Sequence, residues 1–354
     1  VPPWLAEGTA QFMYDDADWD HWDTHRDMIL RDRSINNNLL TFDEMNTFGK
    51  KGIGNESTYN AGFALTRYIA FKYGSSSLKK IMAELSNPFQ FSIEDAIYNV
   101  LDIDGYDLYK DFINTINDRY NRLIKPIEVG YVKPNIIKDS GTANLFPIWS
   151  PDNNSFLYLS NKDNDYFGQT DLYIHDFKDS SDKKISGGVF SAPTWNPNGE
   201  VVYYTKKPKF PDKNGSKYYD LYEYNLSTKK EKRITQSSRA FSPVFVTKDS
   251  SIAYLGTYDG SQNIYHVNLK SREIIKITDF EDRPIVSSLR YNKNNHSLYF
   301  DISTNHYRDI GTISLTDTVY KMVLNSPNWD ERNVTFTKNG SIIYSDDRSG
   351  IFNL

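Results

Sequence analysis

The sequence predicts a multidomain chain in which an all-α region is followed by an all-β propeller of four-stranded blades. The chain has 354 residues, a length that suits two domains better than one. Apolar residues recur with helical spacing up to about residue 125, and from about residue 140 short alternating runs repeat with a period of about 45 residues. Aromatic residues make up 15% of the chain, and Tyr and Phe favour the half-buried surfaces of sheets.

The helical region, residues 1–125, is predicted from amphipathic stripes with their start and stop signals. One stripe follows the serines at 75–77, and a second follows Ser92, which with Asp95 resembles a capping box. Gly74 stands where a helix from about Tyr59 needs its C-terminal cap. The last stripe contains Leu108, Phe112, Ile116, Tyr120 and Leu123 and is predicted to end before Pro126.

The repeats of the second region are marked by an aromatic residue, a polar turn and a strand in fixed order. The marking aromatic residues are Trp149, Trp195, Phe245, Tyr291 and Phe336, at intervals of 46, 50, 46 and 45 residues. A second phase-locked feature is Asp171-Leu-Tyr, with counterparts at Asp220-Leu-Tyr, Gln262-Asn-Ile-Tyr and Asp309-Ile-Gly. One four-stranded blade cannot cover both of its apolar faces, so blades stack on their neighbours. The period therefore predicts propeller blades.

The predicted propeller covers residues 142–354, and residues 126–141 form a linker or a closing strand. The blades are placed at about 142–186, 187–235, 236–278 and 279–324, with an incomplete fifth at 325–354. Because four and a half blades do not close, we expect six or more blades in total, with sequence missing downstream. Closure by a partner or by a strand at 129–137 is the alternative.

Charge and composition exclude several function classes. With 41 basic and 46 acidic residues the net charge is −5, and no basic stripe indicates a nucleic-acid partner. No apolar run is long enough to span a membrane, and the absence of cysteine excludes disulfides and thiolate metal sites. Asp163, Asp165 and Asp171 crowd one predicted loop, but their spacing does not fit an EF-hand, and we interpret them as a solvated acidic loop.

The repeats resemble the TolB-like and WD40-like propeller family, whose blades carry a W-S-P-D-G turn followed by an I/L-Y strand. The resemblance covers residues 142–354 and rests on turns such as Trp149-Ser-Pro-Asp-Asn and Trp195-Asn-Pro-Asn-Gly. It implies an exported protein, located in the periplasm or at the cell surface of a bacterium. It also implies an envelope protein complex as partner.

The stretch Pro3-Trp4-Leu5-Ala6-Glu7-Gly8-Thr9-Ala10 resembles the third-ligand helix of gluzincin zinc metallopeptidases. In that family the Glu of this helix binds zinc together with two histidines of an H-E-x-x-H motif. The resemblance implies that Glu7 is a metal ligand and Zn²⁺ a cofactor of the complete protein. The alternative for Glu7 is simple, because a Glu in the first turn of any helix is favoured by the helix dipole.

The segment from Glu56 to Gly74 resembles the family's Y-x-x-G helix and its Y-G end, carried here by Tyr59, Gly62 and Tyr73-Gly74. Together with residues up to about 120 it matches the C-terminal helical part of aminopeptidase-like gluzincins. The resemblance implies that Tyr59 is a catalytic residue that donates a hydrogen bond to the oxyanion. The alternative is an aromatic residue in a first turn, packing on the next helix.

The chain departs from the family pattern because it contains no H-E-x-x-H. The zinc histidines and the general base are therefore expected upstream of Val1, and zinc is absent or incompletely liganded in this chain. A self-contained site of His21, His25 and Glu7 is the less favoured alternative, because Trp22 stands where the base Glu belongs.

Two functions follow from these patterns, and the missing motif leaves open whether the chain is an enzyme. The first is a fragment of an exported zinc metallopeptidase that hydrolyses peptide bonds with zinc-activated water and recruits a peptide or protein substrate through its propeller. The second is a non-catalytic binding or scaffold protein of a bacterial envelope assembly. An intact H-E-x-x-H upstream favours the first function and a lost one favours the second.

Overall fold

The computed structural model describes residues 1–13, 23–49, 55–280, 282–304, 307–317 and 319–354. The chain divides into two compact units, Val1–Pro134 and Asn135–Leu354. Each unit has its own apolar core.

The first unit is helical in its described part. Its helices are α1 (Pro3–Met13), α2 (Thr24–Ile35), α3 (Phe42–Met45), α4 (Glu56–Tyr73), α5 (Ser76–Leu85), α6 (Ile93–Leu101) and α7 (Gly105–Val129). Short polar side chains begin several of them: the Asp23 carboxylate accepts the N–H of Arg26 at 2.9 Å, and the Ser92 hydroxyl accepts that of Asp95 at 3.1 Å. Gly74 ends α4 with a positive φ of 86°, as its position in the sequence predicts.

The core of this unit is built on the long helix α7. Leu108, Phe112, Ile116 and Tyr120 recur every four residues and are all buried. They share one cluster with Trp4 and Leu5 of α1 and with Leu65 and Ile69 of α4. The buried Tyr120 hydroxyl donates to Asp27 of α2 at 3.0 Å, so a hydrogen bond also joins α7 to α2.

One sequence expectation for this unit, the end of the last helix, is wrong. Helix α7 continues through Pro126 to Val129. The carbonyl that loses its N–H partner to Pro126 belongs to Arg122, which is exposed, so water can satisfy it. Residues 130–143 contain no strand, so the strand at 129–137, which was one alternative for closure, is not formed. Helix α5 begins without a side-chain capping bond from Ser75, and the Ser77 hydroxyl donates to the Tyr73 carbonyl at 2.7 Å.

The second unit consists of four four-stranded antiparallel sheets and a fifth sheet of two strands, as the repeats predict. The blades are β1–β4 (Asn144–Trp149, Ser155–Ser160, Asp171–Asp176, Ser181–Ser186), β5–β8 (Thr194–Trp195, Val201–Lys206, Asp220–Asn225, Lys230–Arg233), β9–β12 (Phe241–Val246, Ser251–Gly256, Asn263–Asn268, Ile274–Lys276), β13–β16 (Ile285–Asn292, Ser297–Ser303, Asp309–Ser314, Lys321–Leu324) and β17–β18 (Glu331–Phe336, Ile342–Asp346). Each blade pairs its strands in sequence order.

Apolar faces of successive blades pack against each other. Leu157 and Leu159 of blade 1 share a buried cluster with Val202 and Tyr204 of blade 2. Equivalent clusters join blade 2 to blade 3, blade 3 to blade 4 and blade 4 to blade 5. The strand motifs of the sequence thus lie between blades, which is the radial stacking that the period predicts.

The first strand of most blades carries a bulge at one repeated position. The residue three places before the marking aromatic has a positive φ in four blades, although none of these residues is glycine. They are Phe146 (53°), Ser242 (48°), Ser288 (49°) and Asn333 (58°). The strand register shifts at each of these points.

These bulges direct backbone N–H groups toward the preceding blade. The Ser242 N–H donates to the Ser191 hydroxyl at 2.9 Å, and the Asn333 N–H donates to the Asp301 carboxylate at 3.0 Å. The repeated bulge therefore supplies a polar contact between blades beside the apolar one.

Candidate functional site

Glu7 and Tyr59 lie on two helices that cross at unusually short distance. A Cβ atom built on Gly8 of α1 would stand 2.5 Å from the Gly62 carbonyl oxygen, and one built on Gly62 of α4 would stand 2.7 Å from that of Trp4. Only glycine at both positions permits this approach. The crossing therefore explains the two glycines of the predicted motifs by packing.

The two predicted site residues are both half-buried. The Tyr59 ring stacks on Phe48, with ring centroids 5.7 Å apart and an angle of 22° between the planes. Among the described residues no hydrogen bond joins Tyr59 to Glu7. Phe48 lies between α3 and α4, so this contact is not the packing on the next helix that the alternative role of Tyr59 expects, and both that role and the catalytic role stay predictions.

The described residues do not by themselves fit a zinc ion. They contain no group of three or more His, Asp or Glu side chains close enough to hold a metal, whereas zinc sites in proteins use at least three protein ligands. Glu7 supplies one carboxylate donor. His21 lies outside the described residues, and His25 is exposed at the start of α2. The zinc role of Glu7 stays a prediction, and no reaction step is derived from it.

In the propeller, the phase-locked Asp or Asn at the start of each third strand is a structural acceptor. Asp171, Asp220 and Asn263 are fully buried, and Asp309 is nearly so. Each accepts a backbone N–H from the segment that leaves the same blade: Gly188 to Asp171 at 2.9 Å, Ser238 to Asp220 at 2.9 Å, Phe280 to Asn263 at 3.1 Å and Ser326 to Asp309 at 2.9 Å. We call this contact the Asp staple.

The Asp staple corrects the interpretation of Asp171 as part of a solvated acidic loop. Its carboxylate is buried and also bonds Lys184 and the side-chain amide of Asn164. Asp163 of the same loop accepts the Tyr173 hydroxyl at 2.5 Å. The repetition of Asp at one phase was the sequence signal for this role, since a solvated loop has no reason to keep it.

A charged cluster covers the face of blade 1 that points away from blade 2. Asp182 accepts bonds from Lys162 at 2.8 Å, from Lys138 at 2.9 Å and from His175 at 2.9 Å. Burial by itself raises the pKa of Asp182, but the bonds from Lys162 and Lys138 outweigh it and hold that pKa well below its usual range. The Lys162 ammonium also lies 4.3 Å from the Tyr173 ring centroid. Lysine side chains therefore cover this face of blade 1, on which the Tyr173 ring lies.

Blade connections of two kinds lie at one end of the propeller. In an antiparallel meander the link between second and third strands and the link to the next blade fall on the same side. In the first three blades the fully described links of these two kinds are residues 161–170, 187–193, 207–219, 234–240 and 257–262, and we call them the upper rim. The Ala240 N–H donates to the Tyr219 carbonyl at 2.9 Å, which joins two of the links directly.

The upper rim exposes large aromatic side chains. Phe167, Phe190 and Phe210 are 74%, 61% and 72% exposed, and Tyr166 and Tyr258 are exposed beside them. Exposed aromatic residues on one surface are typical of sites that bind another molecule, since exposure of their apolar surface to water is unfavourable. Sequence reasoning missed this site, because the aromatic residues lie in links of unequal length and not in the repeat itself.

The fold and this exposed rim define the second unit as a propeller with features of a binding module. No protein-family model matches the chain. The Tol-Pal system protein TolB of Ruthia magnifica subsp. Calyptogena magnifica is 31% identical over 151 residues, which are 40% of this chain and 33% of that protein. TolB of Vesicomyosocius okutanii subsp. Calyptogena okutanii (strain HA) is 33% identical over 98 residues, 27% of this chain and 20% of that protein.

The crystal structure of TolB from Acinetobacter baumannii has the same propeller fold. It matches 62% of this chain and 55% of that chain, with a TM-score of 0.50 and 17% identity. The second unit is therefore a TolB-like β-propeller. This chain spans only about a third or less of the length of the two curated relatives. None of the described helices is both long and apolar enough to cross a membrane.

Proposed function

We propose that this protein is a binding component of a bacterial cell-envelope assembly, in which the upper rim of the TolB-like propeller docks a protein partner. The similarity to Tol-Pal system proteins supports the envelope role. The observation that carries the docking role is the group of exposed aromatic side chains on the upper rim. On this proposal the protein acts outside the cytoplasm, in the periplasm or at the cell surface.

Site-specific photo-crosslinking in the native cell tests the proposal. A photoreactive phenylalanine analogue replaces Phe167, Phe190 or Phe210 in the full-length protein. The matched control replaces Phe177, which is also exposed but lies in the hairpin between β3 and β4, at the other end of blade 1. Crosslinks to one envelope protein from the rim positions and not from Phe177 are expected. Equal crosslinking from Phe177, or none from any rim position, would reject the proposed function.

A second candidate is the zinc metallopeptidase implied by the resemblance of residues 1–120. The specific observation in its favour is the close crossing at Gly8 and Gly62, which sets the helix of Glu7 against the helix of Tyr59. The test is zinc bound per molecule of the full-length protein, measured for wild type and Glu7→Gln. Loss of zinc in Glu7→Gln, with peptidase activity that Tyr59→Phe abolishes, would support it. A full-length protein without zinc would reject it.

A further inference from the structure

One link of the upper rim concentrates positive charge in a chain whose net charge is −5. The link 207–219, between β6 and β7, contains four lysines and a single aspartate. The aspartate, Asp212, is occupied in shaping the link, because it accepts the N–H groups of Asn214 and Ser216, both at 2.9 Å. The lysines at 207, 209, 213 and 217 are all exposed to solvent.

The neighbouring links add an arginine and an aromatic surface to these lysines. The Arg239 guanidinium lies 4.0 Å from the Tyr218 ring centroid, and the Lys207 ammonium lies 5.2 Å from that of Tyr219. Phe190 packs on Tyr219 with centroids 5.6 Å apart. We call Lys207, Lys209, Lys217, Arg239, Phe190 and Phe210 the cationic patch.

The cations of this patch differ from the two cations at the ends of the neighbouring strands β6 and β8. Lys206, which directly precedes the link, pairs with Glu231 at 2.6 Å, and Arg233 pairs with the buried Asp220 at 2.5 Å. Among the described residues, no carboxylate lies within ion-pair distance of Lys207, Lys209, Lys217 or Arg239. The pKa of Tyr218, whose ring lies among these cations, is lowered by its hydrogen bond with Ser216 and by the positive charge of Arg239. Clustered charge of one sign is unfavourable unless a partner of opposite sign neutralises it.

We propose that the cationic patch binds an acidic protein segment, with carboxylates on its lysines and arginine and an apolar side chain against Phe190 or Phe210. This inference rests on the proposed docking function and names the chemistry of the partner.

Two observations favour an acidic protein segment over a nucleic acid. Lysines outnumber arginine in the patch, whereas arginine is the residue suited to bidentate phosphate recognition, and Arg239 already stacks on Tyr218. The patch is also confined to a few links of a chain with a pI of about 5.7. A long polyanion would extend beyond it onto a surface that repels it, while a short acidic segment would not.

The test measures binding of a fluorescein-labelled peptide of Glu and Asp residues around one Phe, by anisotropy, to the full chain. The variant reverses three charges: Lys207→Glu, Lys209→Glu and Lys217→Glu. The matched control reverses three exposed lysines at the other end of the same and the next blade: Lys229→Glu, Lys230→Glu and Lys248→Glu. The same peptide with Gln and Asn in place of Glu and Asp reports the contribution of charge.

We expect the patch variant to weaken peptide binding at least tenfold and the control variant to change it less than twofold. Binding of wild type should fall as salt rises. Because Lys217 also donates to the Lys209 carbonyl at 2.8 Å, the pair Lys207→Gln and Lys209→Gln is measured as well, since it leaves that bond in place. A loss of several-fold in this pair is expected.

Three results would overturn the inference: unchanged affinity in both patch variants, equal binding of the Gln/Asn peptide, or tighter binding of labelled oligothymidylate than of the acidic peptide. The proposed function is judged separately. If the patch variants keep the rim crosslinks to the envelope protein, the docking role stands and the acidic-segment inference fails. If no rim position crosslinks in wild type, the docking role itself fails.

Discussion

Replacing Asp220 with alanine should destabilise the propeller more than most single substitutions. The Asp220 carboxylate is fully buried and accepts the N–H groups of Ser237 at 3.1 Å and Ser238 at 2.9 Å, as well as the hydroxyls of Thr235 and Ser238. It also pairs with Arg233 at 2.5 Å. Alanine removes the acceptor for all of these donors at once.

The expected loss follows from what is left without a partner. Removing one member of a buried ion pair costs about 3–5 kcal/mol. Arg233 keeps a third of its side chain exposed, so water recovers part of its solvation. The Ser238 N–H, in contrast, is buried, and an orphaned buried donor costs about 1–3 kcal/mol. We therefore expect Asp220→Ala to lower the free energy of unfolding by about 4 kcal/mol.

Asparagine provides the matched comparison, because blade 3 already uses it. Asn263 accepts the Phe280 N–H at 3.1 Å and the Thr278 hydroxyl at 3.1 Å through the same oxygen. Asp220→Asn should keep the Oδ1 contacts with Ser238 and Thr235 but remove the Oδ2 acceptor of the Ser237 N–H and of Arg233, so we expect a loss of about 2–3 kcal/mol, smaller than for alanine. Asp176→Ala, in which an exposed aspartate is removed, should stay within about 0.5 kcal/mol of wild type.

Urea unfolding of the full chain measures these differences, followed by the fluorescence of Trp195, which is buried between blades 1 and 2. Hydrogen exchange of the Ser238 amide reports the staple directly and should accelerate in Asp220→Ala. A loss below about 1 kcal/mol with the Ser238 amide still protected would refute the assignment of the staple as a principal stabilising contact.

Two further predictions concern packing and pH. Gly62→Ala should lower the stability of the helical unit by about 1–3 kcal/mol in thermal unfolding, because the new methyl group meets the Trp4 backbone. The control is Gly130→Ala, whose methyl group meets only the Ile127 oxygen at 4.0 Å. Equal melting temperatures of the two variants would contradict the crossing geometry. Burial raises the pKa of Asp301 to about 6, against the bond from Asn333 and the charge of Arg290. Between about pH 4 and 6 the folded chain therefore binds more protons than the unfolded chain, and stability should fall by up to about 3 kcal/mol as the pH rises through this window. Asp301→Asn should flatten this part of the pH profile, and a profile that keeps its slope would contradict the assignment.

The architecture of the propeller could be predicted from the sequence because its signals are local and repeated. An aromatic residue such as Trp195, followed by a polar turn, fixes where the second strand of a blade begins, and the interval to Phe245 fixes the blade. The helical stripe from Leu108 to Tyr120 was equally readable, since every member of it is buried.

The remaining features depend on contacts that no local pattern encodes. The bulges at Phe146 and Ser242 place ordinary residues at positive φ, where a sequence pattern would call for glycine or asparagine. The charged cluster on blade 1 depends on Lys138, a residue of the linker that pairs with Asp182, far from it in the sequence. The cationic patch combines links from two blades, so its charge becomes visible only when the fold brings Arg239 to Tyr218.

The resemblance of the N-terminal motifs predicted which residues matter but not why. Gly8 and Gly62 were quoted as parts of peptidase-like motifs, and the structure gives both a packing role at the crossing of α1 and α4. A motif can thus be required by the backbone approach alone, whatever the chemistry of Glu7 beside it.

The Asp staple separates the parts of the propeller that must keep their length from those that need not. The staple joins residues 17 apart in the first, third and fourth blades, and in the second blade Asp220 bonds the amides 17 and 18 residues on. The link that precedes it has 10, 13 and 6 residues in the first three blades. Insertions and deletions in these links leave the interval between the stapled residues unchanged. The propeller is therefore suited to exchange of its rim links, by evolution or by engineering, without loss of register between blades.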